Sequence, residues 1–178
     1  MGELTLRRRL SDWLVRRRRR SDLAFEALEN PDASAVEAVR RGLAAWNDAQ
    51  IGPTSHVPVG VFVRDPVGRV RGGATGYVGW GWLYVERLWV DDEFRGRHVG
   101  TELMMRLERL ALDRGVHRFQ VGTTSFQALG FYEKMGYEVF AELPDHPPGH
   151  TDYFLKKYVA LSGEAEDEEP PPGPRGQI

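Results

Sequence analysis

Arg95-Gly96-Arg97-His98-Val99-Gly100-Thr101 places two glycines and two guanidinium groups immediately ahead of a stretch with helical spacing. Residue types of this kind suit the holding of an anion such as a phosphate. Backbone N–H groups in the first turn of a helix have no intrahelical acceptor, and the helix dipole makes that end positive. Gly96 and Gly100 let main chain approach a ligand closely, and Arg95 or Arg97 adds a charge-assisted contact. A helix start flanked by solvated arginines is the plainer alternative for so short a pattern. Two common phosphate loops are excluded, because the chain has neither Gly-x-Gly-x-x-Gly nor Gly-Lys-Ser/Thr.

The elements that position this turn follow from periodicity. Residues 80–90 or 82–90 read as an apolar strand that enters a loop at 91–94. Val99, Leu103, Leu107, Leu110 and Ala111 share one face of a helix assigned to residues 102–114, with Arg106, Glu108 and Arg109 outward and Gly115 as its cap. Upstream, residues 23–28 read as a first strand, and Val36, Val39, Leu43 and Trp46 then recur at helical spacing until Gly52-Pro53. Residues 57–64 and 69–77 flank the turn signal Asp65-Pro66-Val67-Gly68 and form a hairpin. A strand at 118–123, a short helix at 127–135 stopped by Gly136, and strands at 137–143 and 151–158 complete the order. The alternation points to a mixed-sheet α/β domain.

At 178 residues, 41% of them hydrophobic, the chain suits one domain with tails. It contains no Cys, which excludes a disulfide framework, a thiolate zinc site and a cysteine nucleophile. No apolar run reaches the roughly 18 residues of a membrane span, and the Arg-rich start lacks a secretory apolar core, so the expected compartment is the cytoplasm. The net charge of −2 conceals segregation, with eight Arg against Glu3 and Asp12 in residues 1–20 and five acids against Arg175 in residues 163–178. Three parts are therefore expected. Residues 1–22 form a basic amphipathic extension in which Leu6, Leu10, Trp13 and Leu14 share a face, 23–160 the folded domain, and 161–178 an acidic, Pro-rich disordered tail.

A second segment sharpens the reading of the phosphate turn. Ser125-Phe126-Gln127-Ala128-Leu129-Gly130-Phe131-Tyr132-Glu133-Lys134-Met135-Gly136-Tyr137 and the turn together resemble the signature of the GNAT superfamily of N-acetyltransferases. The family's first motif is Arg or Gln, two variable residues, Gly, one variable residue, then Gly or Ala, as in Arg95 to Gly100. Its second is Asn-x-x-Ala-x-x-x-Tyr followed by a Gly-aromatic pair, matched by Ala128, Tyr132 and Gly136-Tyr137. The likeness spans about residues 55–158, and Pro147-Pro148-Gly149-His150-Thr151-Asp152-Tyr153-Phe154-Leu155-Lys156 looks like a subgroup of small bacterial acetyltransferases. Two positions depart from the pattern. His98 replaces the middle Gly, so either it adopts a negative φ or the loop is strained, and Ser125 replaces an Asn that contacts the pantetheine arm.

The resemblance implies a central, mostly antiparallel sheet splayed at a parallel strand pair and flanked by helices. It also implies an acetyl-CoA-dependent acyltransferase that acts by direct transfer in a ternary complex. Acetyl-CoA would lie at the splay. Leu88, Trp89 and Val90 would pair their backbone with its pantetheine amides, Arg95, Gly96, Arg97, His98, Val99, Gly100 and Thr101 would seat its pyrophosphate, and Ser125 and Ala128 would flank the arm. An alkylamine has a pKa around 10 and needs a base before it attacks a thioester; Glu86 is the candidate, against a simple ion pair with an Arg. Tyr132 resembles the family's proton donor to the departing thiolate, against a ring packed in the core.

Trp80, Trp82, Tyr84 and His150 are candidates for the acceptor side, with core packing the alternative for the aromatics. His146 and His150 do not form a metal pair, because two prolines deny them a shared helical face and no third ligand is spaced nearby; no metal is expected. The implied partner is a small-molecule or peptide amine of unassigned identity, and a homodimer through the sheet edge or the N-terminal segment is compatible with the pattern. A different class of function makes the Arg-rich segment the working part. It would dock on nucleic acid, an anionic membrane or a protein, with the acyl-CoA-binding domain catalytically silent.

Overall fold

The computed structural model describes residues 23–53 and 55–160, and the chain divides into two units, Met1–Gln50 and Ile51–Ile178. The Arg-rich extension and the acidic tail lie outside the described residues. In the first unit Asp32 opens helix α1 (Ala33–Ile51), its Oδ1 accepting from the backbone N–H groups of Ser34 and Ala35 at 3.0 and 2.9 Å. Residues 23–28 form no strand, contrary to the reading above. Ala24, Glu26 and Ala27 are poor strand formers, and no sheet strand pairs with the segment. Among the described residues no helix is long and apolar enough to cross a membrane.

The second unit is built on a six-stranded sheet of β1 (Val57–Arg64), β2 (Val70–Gly79), β3 (Trp82–Val90), β4 (Arg118–Thr124), β5 (Glu138–Pro144) and β6 (Thr151–Tyr158), in the order β1-β2-β3-β4-β6-β5. All neighbours are antiparallel except β3 and β4. Helices α2 (Val99–Leu112) and α3 (Leu129–Lys134) interrupt the strands on either side of β4. Leu103, Met104, Leu107 and Ala111 of α2 join Ala74, Leu83, Val85, Phe119, Val121 and Leu155 of the sheet in a single core. The helix begins at Val99, three residues before the sequence assignment, so Val99-Gly100-Thr101 is its first turn. Glu108 is not outward; it is 7% exposed, for a reason that lies in β6.

Trp80 is a turn residue. With φ of 51° at Trp80 and 76° at Gly81, the two residues make the tight connection between β2 and β3, and both central positions are left-handed as a type I′ hairpin requires. Trp80 therefore does not share a strand face with Trp82 and Tyr84. Strand alternation fails a second time within β3. Thr75 lies opposite Arg87 but Gly76 lies opposite Val85, so Glu86 is an extra residue, a β-bulge. Leu83 and Val85 face the core before it and Leu88 and Val90 after it, which reverses the parity of the strand. Tyr84 and Glu86 therefore do not continue the face of Leu88 and Val90. Tyr84 instead stacks on Tyr77, with ring centroids 4.8 Å apart.

Candidate active site

The parallel pair holds together only at one end. Register runs Leu83–Phe119, Tyr84–Gln120 and Val85–Val121 and stops there, so Glu86 to Val90 and Gly122 to Thr124 diverge without a partner across the gap. A cavity of about 840 Å³ occupies this divergence. Residues 85–90 and Val121-Gly122-Thr123 form its strand walls, Phe94 to Gly96 and His98 to Thr101 one end, and Phe126 to Ala128 with Phe131 and Tyr132 another side.

The turn is built by local hydrogen bonds. Asp91 Oδ1 accepts from Glu93 N–H at 3.2 Å and starts a 3-10 turn (Asp92–Phe94). Arg71 of β2 clamps that turn, with ion pairs to Asp91 at 3.2 Å and to Glu93 and its guanidinium 5.1 Å from the centre of the Phe94 ring. Arg95 folds back, its Nε donating to the Val90 carbonyl at 3.1 Å and a terminal nitrogen pairing with Asp92 at 2.7 Å. Arg97 lies over the Phe94 ring and outside the cavity lining. The cradle is thus dominated by backbone. Glu102 is the first residue of α2 whose N–H reaches an intrahelical carbonyl, that of His98 at 3.0 Å, leaving the N–H groups of Val99, Gly100 and Thr101 for another acceptor.

His98 settles the alternative left by the sequence. Its φ of 60° and ψ of 10° are left-handed, so the residue keeps the conformation a Gly would take there and carries the strain of a side chain, about 1–2 kcal/mol. His98 makes no side-chain cap to the helix and lines the cavity. Strain of this order persists where surrounding structure over-determines it, which is common at functional sites.

Glu86, the extra residue of the bulge, lines the same space. Its side chain is 46% exposed, with the Arg87 guanidinium 3.6 Å away. Tyr132 approaches from α3 and is only 4% exposed; burial pushes its phenol up to about 12, so it remains protonated at neutral pH. Its ring meets Phe131 and Tyr137 edge-on at 5.1 and 5.7 Å. The loop ahead of α3 is fixed by Thr123 Oγ1, which accepts from Ala128 N–H at 3.3 Å, and by the Gln127 side chain, which accepts from Thr124 N–H at 3.0 Å.

The remaining sequence candidates fall elsewhere. Ser125 is not in the cavity lining; its Oγ accepts from Thr151 N–H at 3.3 Å and lies 3.1 Å from His150 Nδ1. His150 stands edge-on to Phe126, which does line the cavity. Trp80 packs on His56 and Trp82 on Tyr158, both edge-on, and neither they nor Tyr84 reach the cavity. Sequence reasoning missed Arg71, Phe94, Gly122, Gln127 and Phe131. Gly122 carried a legible signal, an isolated glycine inside a strand pattern.

The Acetyltransferase (GNAT) family model matches residues 20–137. A blasticidin-S acetyltransferase of Streptomyces morookaense is 45% identical over 91 residues, 51% of this chain and 67% of that protein. An acetyltransferase of Agrobacterium fabrum is 31% identical over 126 residues, 71% and 92% of the two chains. Among solved structures, one from Agrobacterium tumefaciens superposes with a TM-score of 0.73 at 29% identity, covering 77% of this chain and all of that one. An acetyltransferase from Bacillus cereus gives 0.68 at 28%, covering 75% and 98%.

Proposed function

This chain belongs to the GNAT acetyltransferase family, and on that premise we propose that it moves an acetyl group from acetyl-CoA to a primary amine of a small molecule, directly and in a ternary complex. The observation that carries the reading is the single cavity wall shared by the splayed strands, the backbone cradle at α2, Glu86 and Tyr132. Gly122 fits the cofactor in particular. A Cβ built on it meets no protein atom within 4 Å, so the side chain is missing from open cavity and not from packed core.

Acetyl-CoA, when bound, supplies an acetyl group activated as a thioester. The free N–H groups of Val99, Gly100 and Thr101 would hold its pyrophosphate, and the unpaired edge of residues 86–90 its pantetheine amides and acyl oxygen. Glu86 would accept the ammonium proton through water and pass it to solvent, leaving a neutral amine to form the C–N bond, and the second N–H proton, lost as the amide forms, would leave by the same route. As the C–S bond breaks, Tyr132 would donate a hydrogen bond to sulfur. Full proton transfer from a phenol near 12 to a thiolate with a reference pKa near 8.5 runs uphill by about 5 kcal/mol, so stabilisation of the leaving thiolate is the better description of its role.

For the acceptor, the blasticidin-S acetyltransferase relative supports an amine of the antibiotic class. The net charge of −2 gives a cationic molecule a small electrostatic advantage. The test is thiol release from acetyl-CoA with a panel of amines that includes blasticidin S. Glu86→Gln should lower kcat by about tenfold at neutral pH, a modest loss because water reaches this half-exposed position and substitutes in part. Gly122→Val should leave the thermal midpoint near wild type, since nothing crowds the new side chain, and raise the KM for acetyl-CoA by about tenfold or more. No amine-dependent thiol release across the panel, with no detectable acetyl-CoA binding, would sink the proposal.

A further inference from the structure

A buried polar cluster stands behind the cavity and takes no part in the chemistry so far described. Glu108 of α2 accepts from the Tyr137 hydroxyl at 2.9 Å through Oε1 and from the Lys157 ammonium of β6 at 2.7 Å through Oε2. The side chains of Glu108 and Lys157 are 9% and 19% exposed, and the ammonium also lies 5.3 Å from the centre of the Tyr137 ring. Stability does not explain such a group well. Desolvating a carboxylate and an ammonium costs several kcal/mol each, and apolar residues of the same volume serve a core at least as well.

What the cluster does hold in place is Tyr137. That residue follows Gly136 at the end of α3, a helix of only six residues, and its N–H donates to the Tyr132 carbonyl at 3.0 Å. Its ring meets the Tyr132 ring edge-on, 5.7 Å between centroids at 73°. Tyr132 is thus gripped through backbone and ring by a neighbour whose own hydroxyl is pinned at the far end. We propose that Glu108 is a positioning residue for acetyl transfer: acting through the Tyr137 hydroxyl, it fixes the Tyr137 ring and so the direction in which the Tyr132 phenol points. Lys157, donating to the other carboxylate oxygen, holds the carboxylate in that orientation. The inference rests on the reading of Tyr132 as the donor to the leaving sulfur.

The experiment is a double-mutant cycle of Tyr132→Phe, Tyr137→Phe and the pair, with kcat, the KM for acetyl-CoA and urea midpoints measured for each. Tyr137→Phe keeps the ring and removes only the bond to Glu108. Alone it should lower kcat by about tenfold with the KM for acetyl-CoA within twofold, because a small misdirection of a reacting group acts on turnover. In the Tyr132→Phe background, where no phenol remains to aim, it should lower kcat no further. An equal loss in both backgrounds would mean a structural role and overturn the inference. So would wild-type kcat in Tyr137→Phe while Tyr132→Phe is impaired; an unimpaired Tyr132→Phe would overturn the donor reading as well. Should Tyr137→Phe fold poorly, Glu108→Gln with Lys157→Met retains an acceptor oxygen without an unpaired ammonium. It is expected to keep most of kcat, whereas Glu108→Leu with Lys157→Met, equally free of buried charge, should not.

Discussion

Tyr132→Phe should lower kcat by about a hundredfold and leave acetyl-CoA binding within about twofold of wild type. The asymmetry follows from where the hydroxyl sits. The ring makes the edge-on contacts with Phe131 and Tyr137, and Phe reproduces them, so the side wall of the cavity keeps its shape. Only the donor is lost. Beside the buried Tyr132 a thiolate left without that hydrogen bond is more costly to form, and the loss is felt in the step that forms it. The same residue predicts a pH signature. Burial raises the phenol from its ordinary 10 to about 12, so the folded protein holds this proton more tightly than the unfolded chain. The stabilisation is complete below pH 10 and disappears as pH rises from 10 to about 12. Urea midpoints taken at pH 9 and pH 11 should therefore fall further for wild type than for Tyr132→Phe. Equal kcat in the two proteins would remove Tyr132 from the mechanism.

What could be read from the sequence was what is written in contiguous residues. The phosphate turn, the Ala128 to Tyr137 segment and all six strands of the sheet depend on local spacing, and these elements appear within a few residues of their expected places. The failures share a cause. Glu108 looked outward because a carboxylate on an amphipathic helix is assigned by polarity, and the ammonium that buries it comes from β6, 49 residues away. Residues 23–28 were assigned by hydrophobicity, but a strand exists only with a paired neighbour. Trp80 hid a turn because a bulky residue with positive φ is rare. Glu86 was found for its chemistry, yet its place in β3 is set by a one-residue register slip against β2 that alternation within one strand does not reveal. The polar residues of the site were legible by type; the device that aims them was not.

That device depends on Gly76, and the largest stability effect is expected there. The residue sits opposite Val85, on the near side of the bulge, and a Cβ built on it would lie 2.0 Å from the Tyr84 carbonyl oxygen and 3.2 Å from the Val85 Cα. Both atoms are main chain, so no rotamer change relieves the clash. Its φ lies outside the left-handed region, which means that close approach of β3 and not conformational freedom requires the glycine. Gly76→Ala must push β2 and β3 apart at the point where the extra residue is accommodated. Overpacking of a well-filled interior typically costs 1–3 kcal/mol, and contact with backbone places this case at about 3 kcal/mol or above. A thermal midpoint roughly 10 °C below wild type is the corresponding measurement. Activity should fall by more than stability accounts for. Relief of the clash shifts the bulge, and with it the side chain of Glu86 and the free edge of residues 86–90 that faces β4. Assayed well below its own midpoint, where the protein is folded, Gly76→Ala should thus lose both turnover and acetyl-CoA affinity, unlike Gly122→Val, which affects affinity in an unperturbed fold. A Gly76→Ala protein with wild-type midpoint and kinetics would show that the close approach at Tyr84 has no bearing on either.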